Sequence, residues 1–361
     1  MLNLRKELAM VRKKKTFDRR DFLKGIGLGA IGGIAFGSEI LYGRGLTSLN
    51  NPQDRAGHLY KKLTEPARVS LVKGNDRHEI VYQSLKMIED EVLGSIGNKT
   101  IVIKPNIVLS NCPLGVTHAD AVRAVLDFLT PHHKKQIIIG ESGVQNTLEG
   151  FKNYGYFKLE QEYNVKVVDL NQDSYQYRYV FGKGNQPQPV RIVSTLLDPN
   201  IYLISVARMK THDCVLVTLS LKNVLLGCPL NDYKRNDKGF MHGAVTAVND
   251  ALHFNMFHVA QEVYPDLAVI DGFEAMEGNG PARGTPFDSR VALASRDALA
   301  ADIIATKIMG FDPKRILYLS VMADAGMGQG EIEKINVLGT PLSQCLYKFK
   351  PHDEMARLYQ L

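Results

Sequence analysis

The sequence predicts an α/β fold with a mostly parallel sheet, helices on both faces and a small antiparallel excursion near residues 176–200. Apolar runs of strand length alternate along the chain with segments of helical period. These runs are nearly continuous in Ile and Val, which is typical of strands buried on both faces. The excursion is predicted by a Tyr-rich, alternating stretch followed by Pro187 and Pro189.

The predicted elements follow one another from residue 68 onward. Each strand is a short run rich in β-branched residues, and each helix has apolar residues at helical spacing. The predicted strands are 68–72, 100–103, 136–139, 165–168, 202–206, 267–270, 290–294 and 335–338. The predicted helices are 79–96, 119–129, 148–163, 245–263 and 298–309. We therefore expect one α/β domain over residues 68–340 and a C-terminal tail at 341–361.

Residues 1–46 are predicted to be a twin-arginine export signal. Arg19 and Arg20 precede a hydrophobic residue, a lysine and a glycine-rich apolar run over 25–38. That run is short and weakly hydrophobic, which fits the twin-arginine translocase better than a spanning helix. The expected location is periplasmic or otherwise extracytoplasmic, with membrane contact only through an uncleaved segment. The alternative is a basic tail ahead of a buried helix; residues 47–67 are predicted to be a linker.

The charge distribution argues against nucleic-acid binding. The chain has a formal net charge of +6 at pH 7. Residues 1–46 contain ten Lys and Arg against four Asp and Glu, so the whole excess lies in the targeting segment. The remaining chain is formally neutral and has no Lys/Arg-rich stripe with interleaved aromatic residues. We expect no nucleic-acid partner.

The four cysteines do not form a recognisable cluster motif. They are Cys112, Cys214, Cys228 and Cys345, and no C-x-x-C is present. We therefore expect no iron–sulfur cluster and no zinc ribbon. The cysteines are either small buried residues or, after export, partners in a disulfide that spacing alone cannot pair.

Polar residues follow several of the predicted strands. Ligands of parallel α/β sheets sit outside the carboxyl ends of the strands, so four such clusters predict one site. The clusters contain Lys104 and Asn106, Glu141, Lys210 and His212, and Asp271. Each residue taken singly is as readily explained as a cap or turn former.

The segment from 210 to 242 is the densest in candidate chemistry. Lys222 and Asn223 lie within an otherwise apolar stretch, where a charge is costly unless it is paired or faces a polar cleft. Lysine offers a cation for an anionic ligand or a nucleophilic amine. His212 and His242 offer a base near neutral pH or a metal ligand.

A second candidate is the glycine-rich stretch around Pro281. Gly278 and Gly280 expose backbone N–H groups and Arg283 adds charge, so the stretch could form an anion nest. The alternative is an ordinary glycine-rich turn. Further along, Asp297 is expected to cap the helix that begins near residue 298, and Asp302 inside that helix is a candidate site residue.

These residues, in this order, resemble an uncharacterised family, domain of unknown function 362. The resemblance covers roughly residues 68–338 and is most specific from Lys210-Thr211-His212 to Lys222-Asn223. Some relatives attach a ferredoxin-like module, whose cysteines are absent here. The resemblance implies an α/β domain and says nothing of the activity.

The same segment is distantly similar to nickel-pincer lactate racemases. His212 precedes Lys222 by ten residues and His242 follows by twenty, an interval longer than that of the racemases. Their glycine-rich lead-in to the lysine is absent. The likeness implies that Lys222 holds a cofactor, His242 ligates a metal and His212 moves a proton, in a racemase-like proton or hydride transfer.

Two functions are consistent with these observations. The first is an exported enzyme acting on a small anionic substrate with a metal ion or a metal-containing organic cofactor; the second is a non-catalytic extracytoplasmic binding protein for an anionic metabolite or a metal. The enzyme hypothesis assigns catalysis to His212, Lys210 and Glu141, cofactor binding to Lys222, Asn223, Lys104, Asn106, Gly278, Gly280 and Arg283, and metal ligation to His242 and Asp271.

Overall fold

The computed structural model describes residues 66–243 and 250–360. The predicted export signal and the linker up to residue 65 lie outside the described residues. The strands are β1 Arg68–Lys73, β2 Thr100–Lys104, β3 Ile137–Glu141, β4 Val165–Asp169, β5 Tyr175–Phe181, β6 Pro187–Val193, β7 Ile201–His212, β8 Leu216–Thr218, β9 Leu267–Asn279, β10 Arg283–Phe287, β11 Val291–Ser295 and β12 Asn336–Gly339. The helices are α1 Arg77–Lys86, α2 Glu89–Ile96, α3 Ala119–Leu129, α4 Thr147–Asn153, α5 Leu159–Glu162, α6 Ser220–Leu225, α7 Asp237–Met241, α8 Asp250–Ala260, α9 Ala298–Ile308, α10 Leu317–Asp324 and α11 Asp353–Tyr359.

One large mixed sheet organises the described residues. Its strand order is β12-β1-β11-β9-β7-β2-β3-β4, with β8 added to β7 and β10 added to β9. Strands β9, β7, β2, β3 and β4 are mutually parallel. Their carboxyl ends therefore lie along one edge of the sheet, as the sequence predicts. The α/β class and the mostly parallel sheet are confirmed.

The sheet is buried on both faces. In β2, Val102 belongs to one hydrophobic core, whereas Ile101 and Ile103 belong to the core on the other face. Neighbouring strand β7 repeats this division with Leu203 on the first face and Ile204 on the second. Each such buried side chain contributes about 1.5–3 kcal/mol relative to exposure. This two-sided burial explains why the strands are continuous in Ile and Val.

The antiparallel excursion is confirmed as a separate two-stranded sheet. Strands β5 and β6 pair antiparallel, with Tyr179 opposite Pro189 and Phe181 opposite Pro187. Proline lacks the N–H that an interior sheet position needs, so it is tolerated in a strand with one unpaired edge. The two prolines thus distinguish this ribbon from the strands of the large sheet.

Two predicted helices are each interrupted. The segment predicted as one helix over 79–96 forms α1 and α2, with a break at Met87 and Ile88. Three acidic residues in the first turn of α2 favour a new helix N-terminus there. The segment predicted over 148–163 breaks at Gly155, whose φ of 78° lies in the left-handed region. That conformation ends a helix and favours glycine.

Strands β7 and β9 are much longer than predicted. They continue to His212 and Asn279 because β8 and β10 pair with them antiparallel beyond the parallel core. Strand β11 also pairs antiparallel, with both β1 and β9. The end of β7 is therefore a strand and a tight turn rather than a loop, which fixes the side chains near residue 212.

The residues beyond 340 contribute to one of the two hydrophobic cores that cover the sheet. Cys345, Phe349 and Met355 are buried in the hydrophobic cluster that covers one face of the sheet. Within the described parts of the chain, each helix is too short or too polar to span a bilayer.

Candidate functional site

A cavity of about 250 Å³ opens at the carboxyl edge of the sheet. It lies where β2, β3 and β7 end and where α6 and α7 approach them. Eight of the predicted site residues line it: Lys104, Asn106, Glu141, Lys210, His212, Lys222, Asn223 and His242. The structure thus brings together residues that are up to 138 positions apart in the sequence, from 104 to 242.

Lys104, Glu141 and Asn223 form a closed polar network in the wall of the cavity. The Lys104 ammonium lies 2.8 Å from Oε1 of Glu141 and donates to Oδ1 of Asn223 at 3.0 Å. The second carboxylate oxygen, Oε2, accepts from the backbone N–H of Ile107 at 2.8 Å. Asn223 donates back to the carbonyl of Lys104 and to the hydroxyl of Ser205. These groups satisfy one another and are therefore suited to positioning.

Lys210 and Lys238 are also held by the protein. Nζ of Lys210 donates to Oδ1 of Asn106 at 2.6 Å and to the carbonyl of Gly115. Nζ of Lys238 donates to the hydroxyl of Ser142 and to the carbonyls of Leu226 and Pro229, all within 2.9 Å. Burial, with a smaller contribution from the charge of Lys222, lowers the pKa of each lysine to about 7.

Lys238 was not identified from the sequence. It lies between Asp237 and Gly239 in a polar stretch, where a lysine is expected to be a solvated surface residue. In the structure it is only 6% exposed. Its neighbours in the sequence carried no sign of this burial, which arises because the short helix α7 packs its lysine towards the ends of β3 and α6.

Lys222 differs from the other lysines of the cavity. It is 7% exposed and lines the cavity, yet among the described residues its ammonium makes no hydrogen bond and no ion pair within 4.0 Å. Burial lowers its pKa to about 8, against the charge of Asp213, which raises it. Oγ1 of Thr218, also on the cavity wall, is buried without a hydrogen-bond partner. The cavity thus presents a cation whose bonding capacity the described residues leave unused, and a residue of its wall carries a buried hydroxyl without a partner.

Helix α6 is held at its N-terminus by Asp302. The carboxylate accepts from the backbone N–H groups of Ser220 and Leu221, at 2.9 and 3.0 Å. Burial raises the pKa of Asp302 to about 8, although these two bonds lower it. Asp302 does not line the cavity and acts through the helix that carries Lys222 and Asn223. The capping role expected of Asp297 is confirmed, since it accepts from the N–H of Ala300.

His212 is the last residue of β7, and Asp213 and Cys214 follow it in the turn to β8. Nδ1 of His212 lies 2.9 Å from Oδ1 of Asp213. Burial opposes ionisation of Asp213, but hydrogen bonds from His212 and Cys214 outweigh it and lower the pKa of that carboxyl. Burial and the charge of Lys222 lower the pKa of His212 to about 3 and that of His242 to about 4. Both imidazoles are therefore neutral at pH 7.

Asp271 lies outside the cavity, which corrects the prediction that it shares the site. It is fully buried, accepts from the N–H of Phe273 and lies 3.1 Å from Nε of Arg77. Asp271 does not end a strand, because β9 continues for eight residues beyond it. A β-bulge lies between Arg208 and Lys210. Arg208, on one side of it, contacts Glu274 outside the cavity, whereas Lys210, on the other side, lines the cavity.

The glycine-rich stretch is a β-hairpin turn and not an anion nest. The N–H of Gly278 donates to the carbonyl of Lys350, and the N–H of Gly280 donates to the carbonyl of Gly278. These amides are therefore occupied within the protein. Gly280 is required by close packing, because a Cβ there would lie 2.2 Å from the carbonyl oxygen of Thr211. Arg283 is exposed, and only Pro281 of this stretch reaches the cavity.

Among the described residues, the four cysteines form no disulfide with one another. Cys228 and Cys345 are buried, as expected of small core residues, whereas Cys112 and Cys214 are half-buried. Asp213 and Cys214 were not identified from the sequence as site residues. They directly follow the Lys-Thr-His segment and form with His212 a run of histidine, aspartate and cysteine, which is the signal that could have found them.

Comparison with known proteins places this arrangement in a family. The chain is 27% identical over 261 residues to the thylakoid-associated protein sll1697 of Synechocystis, an alignment that covers 70% of this chain and 77% of that protein. A crystal structure of a Thermotoga maritima protein aligns at 12% identity and a TM-score of 0.40, over 63% of this chain. This chain spans only 57% of that protein's length. The family described as "Domain of unknown function (DUF362)" matches residues 101–307, more than half of the chain, and the protein belongs to this family.

Proposed function

We propose that the cavity binds a small organic anion and that the protein is an exported enzyme acting on it. The ammonium of Lys222 carries this proposal, because it is buried in the cavity wall without a partner among the described residues. A buried charge is costly unless it is paired, so the site favours a ligand that supplies the opposite charge. The hydroxyl of Thr218, buried without a partner in the described part of the chain, belongs to a residue that lines the same cavity.

The charge balance of the cavity supports an anion. Four lysines line it, against the carboxylates of Glu141 and Asp213. Glu141 is already bound to Lys104, so it does not neutralise the remaining cations. A volume of about 250 Å³ suits a metabolite of a few heavy atoms rather than a nucleotide.

An enzyme is favoured over a capture protein by the two imidazoles. His212 and His242 are neutral and share the cavity with Lys222. Holding an anion needs only cations and N–H donors, whereas neutral imidazoles serve as metal ligands or proton acceptors. A non-catalytic binding protein is the second candidate, and it uses the same cavity.

Export is proposed from the paired arginines of the N-terminal segment. The Synechocystis relative is described as thylakoid-associated, which is compatible with a location at a membrane system. Folded cargo is what the twin-arginine translocase carries, and a cofactor inserted in the cytoplasm would travel with it.

Replacement of Lys222 by Met tests the anion site. The change keeps the approximate volume and removes the charge, so the fold should survive. Loss of a charged hydrogen bond costs about 1.5–3 kcal/mol, so affinity should fall about tenfold to a hundredfold. Isothermal titration with lactate, pyruvate, malate and inorganic phosphate measures this. The matched control is Lys307→Met, since Lys307 is an exposed lysine on helix α9.

Three outcomes bear on the proposal. Equal affinity of Lys222→Met and Lys307→Met for the bound acid contradicts the role of Lys222. Failure of the folded wild-type protein to bind any of these anions contradicts the anion site. NMR of the bound acid with a catalytic amount of protein shows whether the acid is converted. Binding without any chemical change of the acid favours the capture protein over the enzyme.

A further inference from the structure

The turn between β7 and β8 brings three different donor groups together. One donor atom each from His212, Asp213 and Cys214 lies within 4.8 Å of the other two. The imidazole and the carboxylate are already 2.9 Å apart. None of the three takes part in the network of Lys104, Glu141 and Asn223. We infer that these three residues hold a divalent transition-metal ion of the zinc or cobalt kind.

The donor set selects this class of metal. An imidazole nitrogen and a thiolate sulfur are preferred by Zn²⁺ and similar ions, whereas Mg²⁺ and Ca²⁺ prefer oxygen ligands. Tetrahedral Zn²⁺ with bonds of about 2.0–2.3 Å places its donor atoms about 3.3–3.8 Å apart. To reach that geometry the three side chains must rotate from their present spacing, and binding through Nδ1 of His212 would displace the backbone N–H of Cys214, from which Nδ1 now accepts at 3.0 Å. Three protein ligands leave one coordination position for water or a bound molecule.

Burial and charge at the turn fit such an ion. His212 is 5% exposed, and Asp213 and Cys214 are half-buried. His212 and Asp213 line the cavity, so an ion that they hold would lie at its wall. The carboxylate and the thiolate together balance a divalent cation. Both residues also interact electrostatically with Lys222, which favours their charged forms. In this arrangement His212 binds the metal and does not move a proton.

The metal deepens the proposed function, and this step rests on it. A small acid whose carboxylate is held by Lys222 could place a second oxygen donor on the open metal position. Such binding through two groups selects acids that carry an additional oxygen close to the carboxylate. The metal would then supply Lewis acidity at that second oxygen.

Cobalt titration of the full-length chain tests the site. The protein is stripped with a chelator, and Co²⁺ is added while the near-ultraviolet and visible absorption is recorded. We expect one equivalent of Co²⁺ to produce a thiolate-to-cobalt band, and Zn²⁺ to abolish it. Cys214→Ser should lose the band. Cys112→Ser should keep it, since Cys112 is also half-buried but lies outside the group.

Affinity measurements separate the remaining ligands. Loss of a group that only supports a ligand already weakens metal binding about tenfold to a hundredfold. We therefore expect His212→Gln and Asp213→Asn to weaken Co²⁺ binding at least about tenfold. Lys222→Met should keep the cobalt band while it loses the anion, so the metal site and the anion site can fail independently.

The inference is overturned if the folded wild-type protein shows no thiolate band, if Cys214→Ser retains it, or if Cys112→Ser loses it. Circular dichroism establishes that each variant is folded. Should Cys214→Ser not fold, alkylation of the wild-type protein decides. Zn²⁺ should slow iodoacetamide modification of Cys214, because a metal-bound thiolate is no longer free to react, and should leave Cys112 unaffected, as measured by peptide mass spectrometry. Equal rates with and without Zn²⁺ contradict the site.

Discussion

The lysines of the cavity differ in whether a protein group binds their ammonium. Lys104 has a carboxylate partner, and Lys238 donates to three oxygens, so both are fixed parts of the wall. Removal of Lys104 would leave the carboxylate of Glu141 charged and buried, which costs about 3–5 kcal/mol. Removal of Lys222 leaves no such charge behind. Lys222→Met can therefore report on binding without loss of the fold.

The pKa of Lys222 predicts the pH dependence of anion binding. In the free protein this pKa is lowered to about 8, and a bound anion raises it again. The charged, binding-competent form is present below pH 8 and is lost as the pH rises through that value. We expect the dissociation constant to be flat towards pH 6 and to rise roughly tenfold per unit above pH 8. Lys238, with a pKa lowered to about 7, changes charge in the same direction.

Titration calorimetry between pH 6 and pH 10 checks this dependence. Lys222→Met is the comparison, because its weaker binding should lack the steep loss near pH 8. Affinity that is constant up to pH 10 in the wild-type protein would show that the Lys222 ammonium does not hold the anion.

At the scale of single elements, helix α6 depends on a carboxylate from elsewhere in the chain. Asp302 accepts two N–H groups of its first turn, a position where no residue of the helix itself provides a cap. We expect Asp302→Ala to lower the free energy of unfolding by about 2–4 kcal/mol, because a cap is lost and two buried donors are left unpaired. Anion affinity should fall too, since α6 carries Lys222.

Urea unfolding compares this variant with Asp312→Ala. Asp312 is exposed and caps the short 3-10 turn Pro313–Arg315, where it accepts from the N–H of Lys314, so its removal should cost less than about 1 kcal/mol. If the two variants are equally mild, Asp302 does not hold α6, and the placement of Lys222 has another cause.

Strand patterns in the sequence predict some site residues and not others. Lys104 and Glu141 were predictable because each ends a strand that is apolar up to that residue. Asp271 follows a similar run, yet its strand continues because β11 and β10 pair with it antiparallel. Such pairing joins residues that are distant in the sequence and leaves no local pattern. The prediction for Asp271 was wrong because β10 and β11 extend β9 beyond it, whereas Lys210 and His212 on the extended part of β7 do line the cavity.

At the scale of the whole molecule, features with a local sequence pattern were predicted, and features that depend on contacts between distant residues were not. The parallel half of the sheet could be predicted from continuous runs of Ile and Val, because its strands are buried on both faces. The position of β1 beside β11 and β12 depends on contacts across more than 200 residues. The C-terminal residues, predicted as a tail, supply buried Phe349 and Met355 to one core. Their apolar residues are too few and too scattered to indicate this.

The last prediction concerns the delivery of the whole molecule. Arg19→Lys together with Arg20→Lys should leave a folded protein in the cytoplasm, because the twin-arginine translocase reads the paired guanidinium groups and a lysine pair keeps only the charge. Subcellular fractionation with immunodetection measures this, and protease resistance of the retained protein shows that it is folded. The matched control is Arg5→Lys together with Arg12→Lys, which changes two upstream arginines and keeps the pair. Normal export of the first variant, or equal retention of the control, would contradict a twin-arginine signal in residues 1–46.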